Sequence, residues 1–201
     1  MSTDRFAVTY DYRCPFARNA HEHVVEGLRA GAEWDVDFVP FSLSQAHVEE
    51  GGTPVWDDPA KAPDLLAIEA SLVVRDIAPE RFLDAHVAFF AARHDRGLDL
   101  RDEQVVRDVI GSVGVDADEV LRVVADGGPR EAFRKAHESA VSDHKVFGVP
   151  TFVVGDRAVF VRLMTRPEGD GARAKAAVDL VLGLMGGHPE LNEFKYTTIN
   201  R

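Results

Sequence analysis

Phe6-Ala7-Val8-Thr9-Tyr10-Asp11-Tyr12-Arg13-Cys14-Pro15-Phe16-Ala17 is the stretch on which the fold turns. Its first five residues are aromatic, β-branched or small, the composition of a buried strand. Pro15 sits where a first helical residue is favoured. Phe16, Ala20, Val24 and Leu28 recur every fourth residue beyond it, with Ala17 and Val25 widening the apolar stripe. Arg18, Glu22 and Glu26 fall outside that stripe, and Gly31 supplies a stop. Trp34, Val36 and Phe38 then alternate with Asp35 and Asp37, a second strand whose Pro40 belongs at its end or on an unpaired edge. Strand, helix and strand within about forty residues make a right-handed βαβ unit with parallel strands. Cys14, the only cysteine, stands at the strand-to-helix junction. Unpaired N–H groups and the helix field favour a thiolate there, so alkylation below the ordinary thiol pKa is expected.

Periodicity lapses from Ser42 to Pro63, a long loop in which Trp56 is either an anchor or a substrate wall. Helical spacing returns at Leu65, Leu66, Ile68, Leu72 and Val73. It continues after Pro79 with Phe82, Leu83, His86, Val87 and Phe90, and again at Val105, Val106, Val109 and Ile110. Asp116 and Glu119 have capping-box spacing, and Phe133, Ala136 and Ala140 mark a fifth helix. Val146 to Val154 and Ala158 to Val161 flank Gly155-Asp156 as a hairpin, and Ala172 to Met185 reads as a last helix. The tail from Pro189 to Arg201 carries Leu191, Phe194 and Tyr196, which could dock on the body. The organisation expected is a framework split into residues 1–43 and 144–201 around a loop and helical insertion, 44–143.

A formal net charge of −11 without a basic cluster argues against nucleic acid. No signal peptide or membrane span is suggested, and one cysteine cannot form an internal disulfide, so cytoplasm is the expected compartment.

Cys14-Pro15-Phe16-Ala17 and Gly148-Val149-Pro150-Thr151-Phe152, in this element order, resemble the DsbA-like superfamily. That group includes thiol oxidoreductases, kappa-class glutathione transferases and 2-hydroxychromene-2-carboxylate isomerases. Its actinobacterial members resembling mycothiol-dependent nitroreductases look closest. Phe160-Val161-Arg162-Leu163 and Pro189 to Phe194 extend the likeness. The resemblance implies an α/β fold, a thioredoxin-like mixed β-sheet core with an inserted all-helical subdomain. It also implies a cis bond between Val149 and Pro150, facing Cys14 and exposing backbone groups that a thiol ligand could pair with as an added strand. A dithiol enzyme of this kind has a second cysteine three positions on, where this chain has Ala17. Any exchange must therefore borrow its second sulfur from mycothiol, glutathione, another small thiol or a partner protein.

Cys14 then has three readings: nucleophile, S–H donor to a bound thiolate, or small buried cap. Around it, Tyr12 in an exposed turn could offer its hydroxyl to substrate. Arg13 could stabilise a thiolate or hold a carboxylate. Pro15, Phe16, Phe147, Val149, Pro150 and Thr151 complete the expected binding site. Phe41, Phe82, Phe89, Phe90 and Trp56 read equally as aromatic pocket or core. His21 and His23 diverge on a helix and form no metal set, and nothing supports flavin or nicotinamide. The expected function is a monothiol oxidoreductase or thiol transferase taking a small thiol and an apolar or aromatic electrophile. A glutathione-dependent isomerase and a non-catalytic binding protein are the alternatives, and the class leaves room for a homodimer.

Overall fold

The computed structural model describes residues 4–196 and 198. Strand β1 (Asp4–Tyr10) runs parallel to β2 (Trp34–Pro40), with Phe6 opposite Val36 and Val8 opposite Phe38. Helix α1 (Pro15–Arg29) connects them. Phe6, Val8 and Tyr10 alternate into the core, the period of two that a half-covered strand requires. Pro40 closes β2, which is an edge strand and needs no donor there. Gly31, at φ +88°, follows α1 in a conformation that only glycine adopts without strain.

One feature of α1 departs from the sequence expectation. Glu22 is buried along with Ala17, Ala20 and Val24, because α1 is covered by α4 (Pro79–His94) and α8 (Gly171–Gly187) as well as by the sheet. A helix with several covered sides must bury polar residues and pair them. Glu22 accepts from Arg18 Nε at 3.1 Å and from Arg166 Nε and Nη2 at 2.6 and 2.7 Å.

The chain returns to the sheet through β3 (Thr151–Val154) and β4 (Arg157–Phe160), a hairpin over Gly155-Asp156 with Thr151 opposite Phe160. β3 is antiparallel to β1, giving the mixed order β2-β1-β3-β4. Helix α8 then lies across α1. A Cβ on Gly171 would come 2.5 Å from Ala30 Cβ, so the helices meet where glycine permits contact.

Between β2 and β3 lies an all-helical subdomain: α2 (Leu43–Ala46), α3 (Ala62–Ile77), α4, α5 (Glu103–Ser112), α6 (Ala117–Ala125) and α7 (Gly128–His144). Asp116 Oδ1 caps α6 by accepting from the N–H groups of Asp118 and Glu119 at 2.9 and 3.3 Å. The stretch from Ser42 to Pro63 is not an unstructured loop. It holds α2, capped by Ser42, and a 3₁₀ turn over Pro59–Lys61, elements of one turn that leave no periodic signature. Trp56 anchors it, packing on Phe133 and His137 with ring centroids at 5.0 and 5.7 Å. Phe41, Phe82, Phe89 and Phe90 are likewise buried core residues. The tail does not dock as expected: Leu191, Phe194 and Tyr196 are exposed, and its residues 197 and 199–201 lie outside the described residues. Among the described residues no helix is long and apolar enough to cross a membrane.

Candidate functional site around Cys14

Cys14 is the N-cap of α1, with extended backbone and its own N–H donated to Asp11 O at 3.0 Å. Its Sγ accepts from Ala17 N at 3.5 Å and donates to Val149 O at 3.3 Å. The Val149–Pro150 bond is cis. Thr151 fastens this segment to β1, donating its N–H to Thr9 Oγ1 at 2.9 Å and its hydroxyl to Gly148 O at 2.8 Å. Thr151 is buried, so it holds the segment in place rather than offering a free donor. Cys14 is thus in contact with Val149, with Pro15 and Phe16 following it on α1 and Pro150 and Thr151 following Val149. The sulfur itself is less open than expected, since Cys14 is only 9% exposed.

That burial reverses the expected charge state. Loss of hydration pushes the Cys14 thiol above the ordinary range of a free cysteine. The Ala17 and Phe16 N–H groups pull it down without prevailing, and the Asp11 carboxylate pushes it further up. Cys14 is a neutral S–H donor in this structure.

Tyr12 and Arg13 also depart from expectation. Tyr12 is 1% exposed, packed against Phe89 and Phe90, and its hydroxyl donates to His86 Nδ1 at 2.9 Å. The turn exposes Pro15 instead. The Arg13 guanidinium is engaged away from the sulfur, on Asp11 Oδ1 and Oδ2 at 3.2 and 2.9 Å and on Ser44 Oγ at 2.8 Å. It borders a cavity of about 550 Å³ with Ser44, His47 and Lys61, and a second of about 350 Å³ with Asp64, Arg93 and Arg101.

Behind Tyr12 runs a buried polar chain that periodicity could not reveal. His86 Nε2 lies 2.9 Å from His21 Nδ1, and His21 Nε2 lies 3.1 Å from Thr9 O. A carbonyl only accepts, so His21 carries its proton on Nε2 and His86 donates from Nε2 to His21 Nδ1. Tyr12 then donates to His86 Nδ1. Burial lowers His21 to about 4 and His86 well below its ordinary 6.5, and raises Tyr12 well above 10. All three are neutral at pH 7. Among the described residues no group of three or more His, Cys, Asp or Glu side chains could hold a metal ion.

Two residues close to Phe16 and to the cis-proline segment, Phe160 and Arg162, were not among the site residues singled out from sequence. Phe160 lies opposite Thr151, Val161 N donates to Pro150 O at 3.1 Å, and the Arg162 guanidinium carbon stands 5.3 Å from the Phe16 ring centroid and 6.0 Å from that of Phe160. Phe147, 73% exposed, packs on Phe160 at 5.2 Å. The alternation of Phe160 and Arg162 on one side of an edge segment was the available signal.

The model of the DSBA-like thioredoxin domain matches residues 7–165, and the chain belongs to that family. No curated protein sequence matches the chain. Among solved structures it is similar to the cytosolic disulfide reductase DsbM from Pseudomonas aeruginosa with GSH, at TM-score 0.61 and 14% identity, covering 89% of this chain and 98% of that one. It is also similar to a 2-hydroxychromene-2-carboxylate isomerase, at TM-score 0.62 and 15% identity over 90% of this chain and 97% of that one. MdbA, a thiol-disulfide oxidoreductase from Actinomyces oris, gives TM-score 0.62 and 16% identity over 87% and 80%. These likenesses show the fold, a mixed sheet flanked by helices with an inserted helical subdomain.

Proposed function

We propose that this chain is a cytoplasmic enzyme that binds an external low-molecular-weight thiol at Cys14 and joins or exchanges it with an apolar or aromatic electrophile. Glutathione is suggested by the GSH of the DsbM structure, and mycothiol by the likeness of the Cys14 and Pro150 motifs to actinobacterial nitroreductase-like proteins. The observation that carries the reading is the neutral Cys14 S–H, aimed at Val149 O at the start of α1 with Ala17 where a resolving cysteine would stand.

That geometry favours transfer over disulfide exchange. The external thiol loses its proton to solvent, and its thiolate sits over the first turn of α1. There it receives the Cys14 S–H in place of the Val149 carbonyl. Its sulfur bonds to the electrophilic carbon, and the leaving group departs with its electron pair. For an isomerisation the sulfur adds and later leaves again. The redox route needs the minor thiolate form of Cys14. That thiolate bonds to one sulfur of a small disulfide and expels the other as a thiolate, and a second small thiolate then breaks the mixed disulfide and restores Cys14.

Cys14→Ser and Cys14→Ala separate these routes, because serine keeps a donor but cannot form a disulfide. With glutathione or mycothiol and 1-chloro-2,4-dinitrobenzene, we expect Cys14→Ser to retain turnover within about tenfold and Cys14→Ala to lose roughly 10²-fold. Equal loss in both variants, with a wild-type mixed disulfide seen by mass, would select the redox route. Full activity in Cys14→Ala would end the proposal.

A further inference from the structure

Asp11 opens the turn between β1 and α1, and both its backbone and its side chain are engaged there. Its carbonyl accepts from Cys14 N at 3.0 Å, which fixes the backbone carrying the sulfur. Its carboxylate is buried and accepts four N–H groups. Oδ1 takes Arg13 N at 2.9 Å and Arg13 Nε at 3.2 Å. Oδ2 takes Arg13 Nη2 and Leu43 N, both at 2.9 Å. Two donors on each oxygen leave no place for an acid proton, so hydrogen-bond geometry alone makes Asp11 an anion. A buried anion opposes a second negative charge nearby, and Cys14 ends the turn that Asp11 begins.

Arg13 supplies the counter-charge. Its fork closes on both oxygens of Asp11, and its Nη1 donates to Ser44 Oγ at 2.8 Å with Asp64 on α3 3.8 Å away. Of the two roles expected for Arg13 it fills the second, with a carboxylate of the chain itself. Its side chain walls both cavities, and through Leu43 and Ser44 the turn is tied to α2 of the helical insertion. Other charged or titratable groups also border the turn. Arg93, Asp99 and Arg101 line the smaller cavity with Arg13, His94 Nε2 lies 2.9 Å from Tyr12 O, and Arg162 stands over the Phe16 ring. Arg101 is paired with Asp99.

We propose that Asp11 and Arg13 are a positioning pair for Cys14. Asp11 fixes the turn that aims the sulfur at Val149 O, and its charge holds that sulfur in the S–H form. Arg13 keeps the carboxylate in place and offsets part of its charge. This rests on Cys14 acting as the donor of the proposed reaction, and it names the residues that keep it one.

The pH profile of Cys14 alkylation by iodoacetamide reads the pair, because the rate below the midpoint follows the thiolate fraction. Asp11→Asn keeps the shape of the side chain and removes its charge. We expect it to alkylate about threefold to tenfold faster than wild type at pH 7. Arg13→Gln leaves the Asp11 anion without its counter-charge and should alkylate about threefold slower, with Arg13→Lys between it and wild type. Opposite signs are the signature of charge, since a merely loosened turn would expose the sulfur and speed the reaction in both variants. The Arg13 side chain is partly exposed, so the Gln and Lys comparison stands even where loss of the buried Asp11 charge prevents folding. Faster alkylation in Arg13→Gln, or rates equal to wild type in every variant, overturns the inference. These rates need no turnover, whereas Cys14→Ser and Cys14→Ala decide the donor role by transfer activity, so the pair and the reaction can fail separately.

Discussion

A sulfur at a helix start is pulled two ways. The N–H groups of Phe16 and Ala17 stabilise negative charge on Cys14, while burial and the Asp11 carboxylate oppose it and prevail. Sequence placed the sulfur at the helix start. It could not weigh this contest, because burial depends on how closely residues 149–150 approach, 135 positions away. The same blindness hid the Tyr12–His86–His21 chain, whose members come from the β1–α1 turn, α4 and α1. That chain has a measurable consequence. His21, lowered to about 4, and His86, lowered further below 6.5 than a surface histidine, stay neutral when folded and are free to charge when unfolded. The unfolded state therefore binds more protons as pH falls below 6.5, and stability rises with pH through that window and levels off above it. We expect urea unfolding to show a loss on the order of 2 kcal/mol from His21 between about pH 7 and pH 5, with His86 adding in the same direction. An unchanged midpoint across that interval would contradict the neutral chain.

At the scale of elements, patterning of period two and period 3.6 exposed β1, α1, β2, the hairpin and the long helices, because each carries an apolar face over several turns or pleats. It missed α2 and the 3₁₀ turn, which are too short to repeat, and it left Glu22 outside the apolar stripe with no sign of its burial, because a second and third neighbour of α1 leave no mark in α1 itself. Close approach between elements is equally silent until glycines are placed. Helix propensity alone says that Gly27→Ala should stabilise α1 by about 1 kcal/mol. The Cβ, however, would sit 2.5 Å from the Trp34 ring, which is held by Asp179 through Nε1 at 3.1 Å. Overpacking should win, with a net loss of about 1–2 kcal/mol in chemical denaturation. Gly183→Ala in α8, where nothing lies within 4 Å, should instead gain up to about 1 kcal/mol. A gain in both variants would show that α1 and β2 are not packed as described.

Across the whole molecule the helical insertion and the framework meet behind the candidate site. Glu22 and Arg18 on α1, Asp95 at the end of α4 and Arg166 after β4 form one ion-paired group, and Tyr12, His86 and His21 form a second, uncharged one. Both fix α1, and so fix the direction in which Cys14 faces the Val149–Pro150 segment. The central claim is that Cys14 is a neutral donor in a seat for a small thiol. It is tested most directly by the pH profile of Cys14 alkylation with iodoacetamide, run with and without reduced glutathione or mycothiol. The predicted profile has a midpoint above that of a free cysteine, and one of the two thiols slows the reaction. A midpoint near or below that of a free cysteine, about 8.5, with no shielding by either thiol, would contradict it.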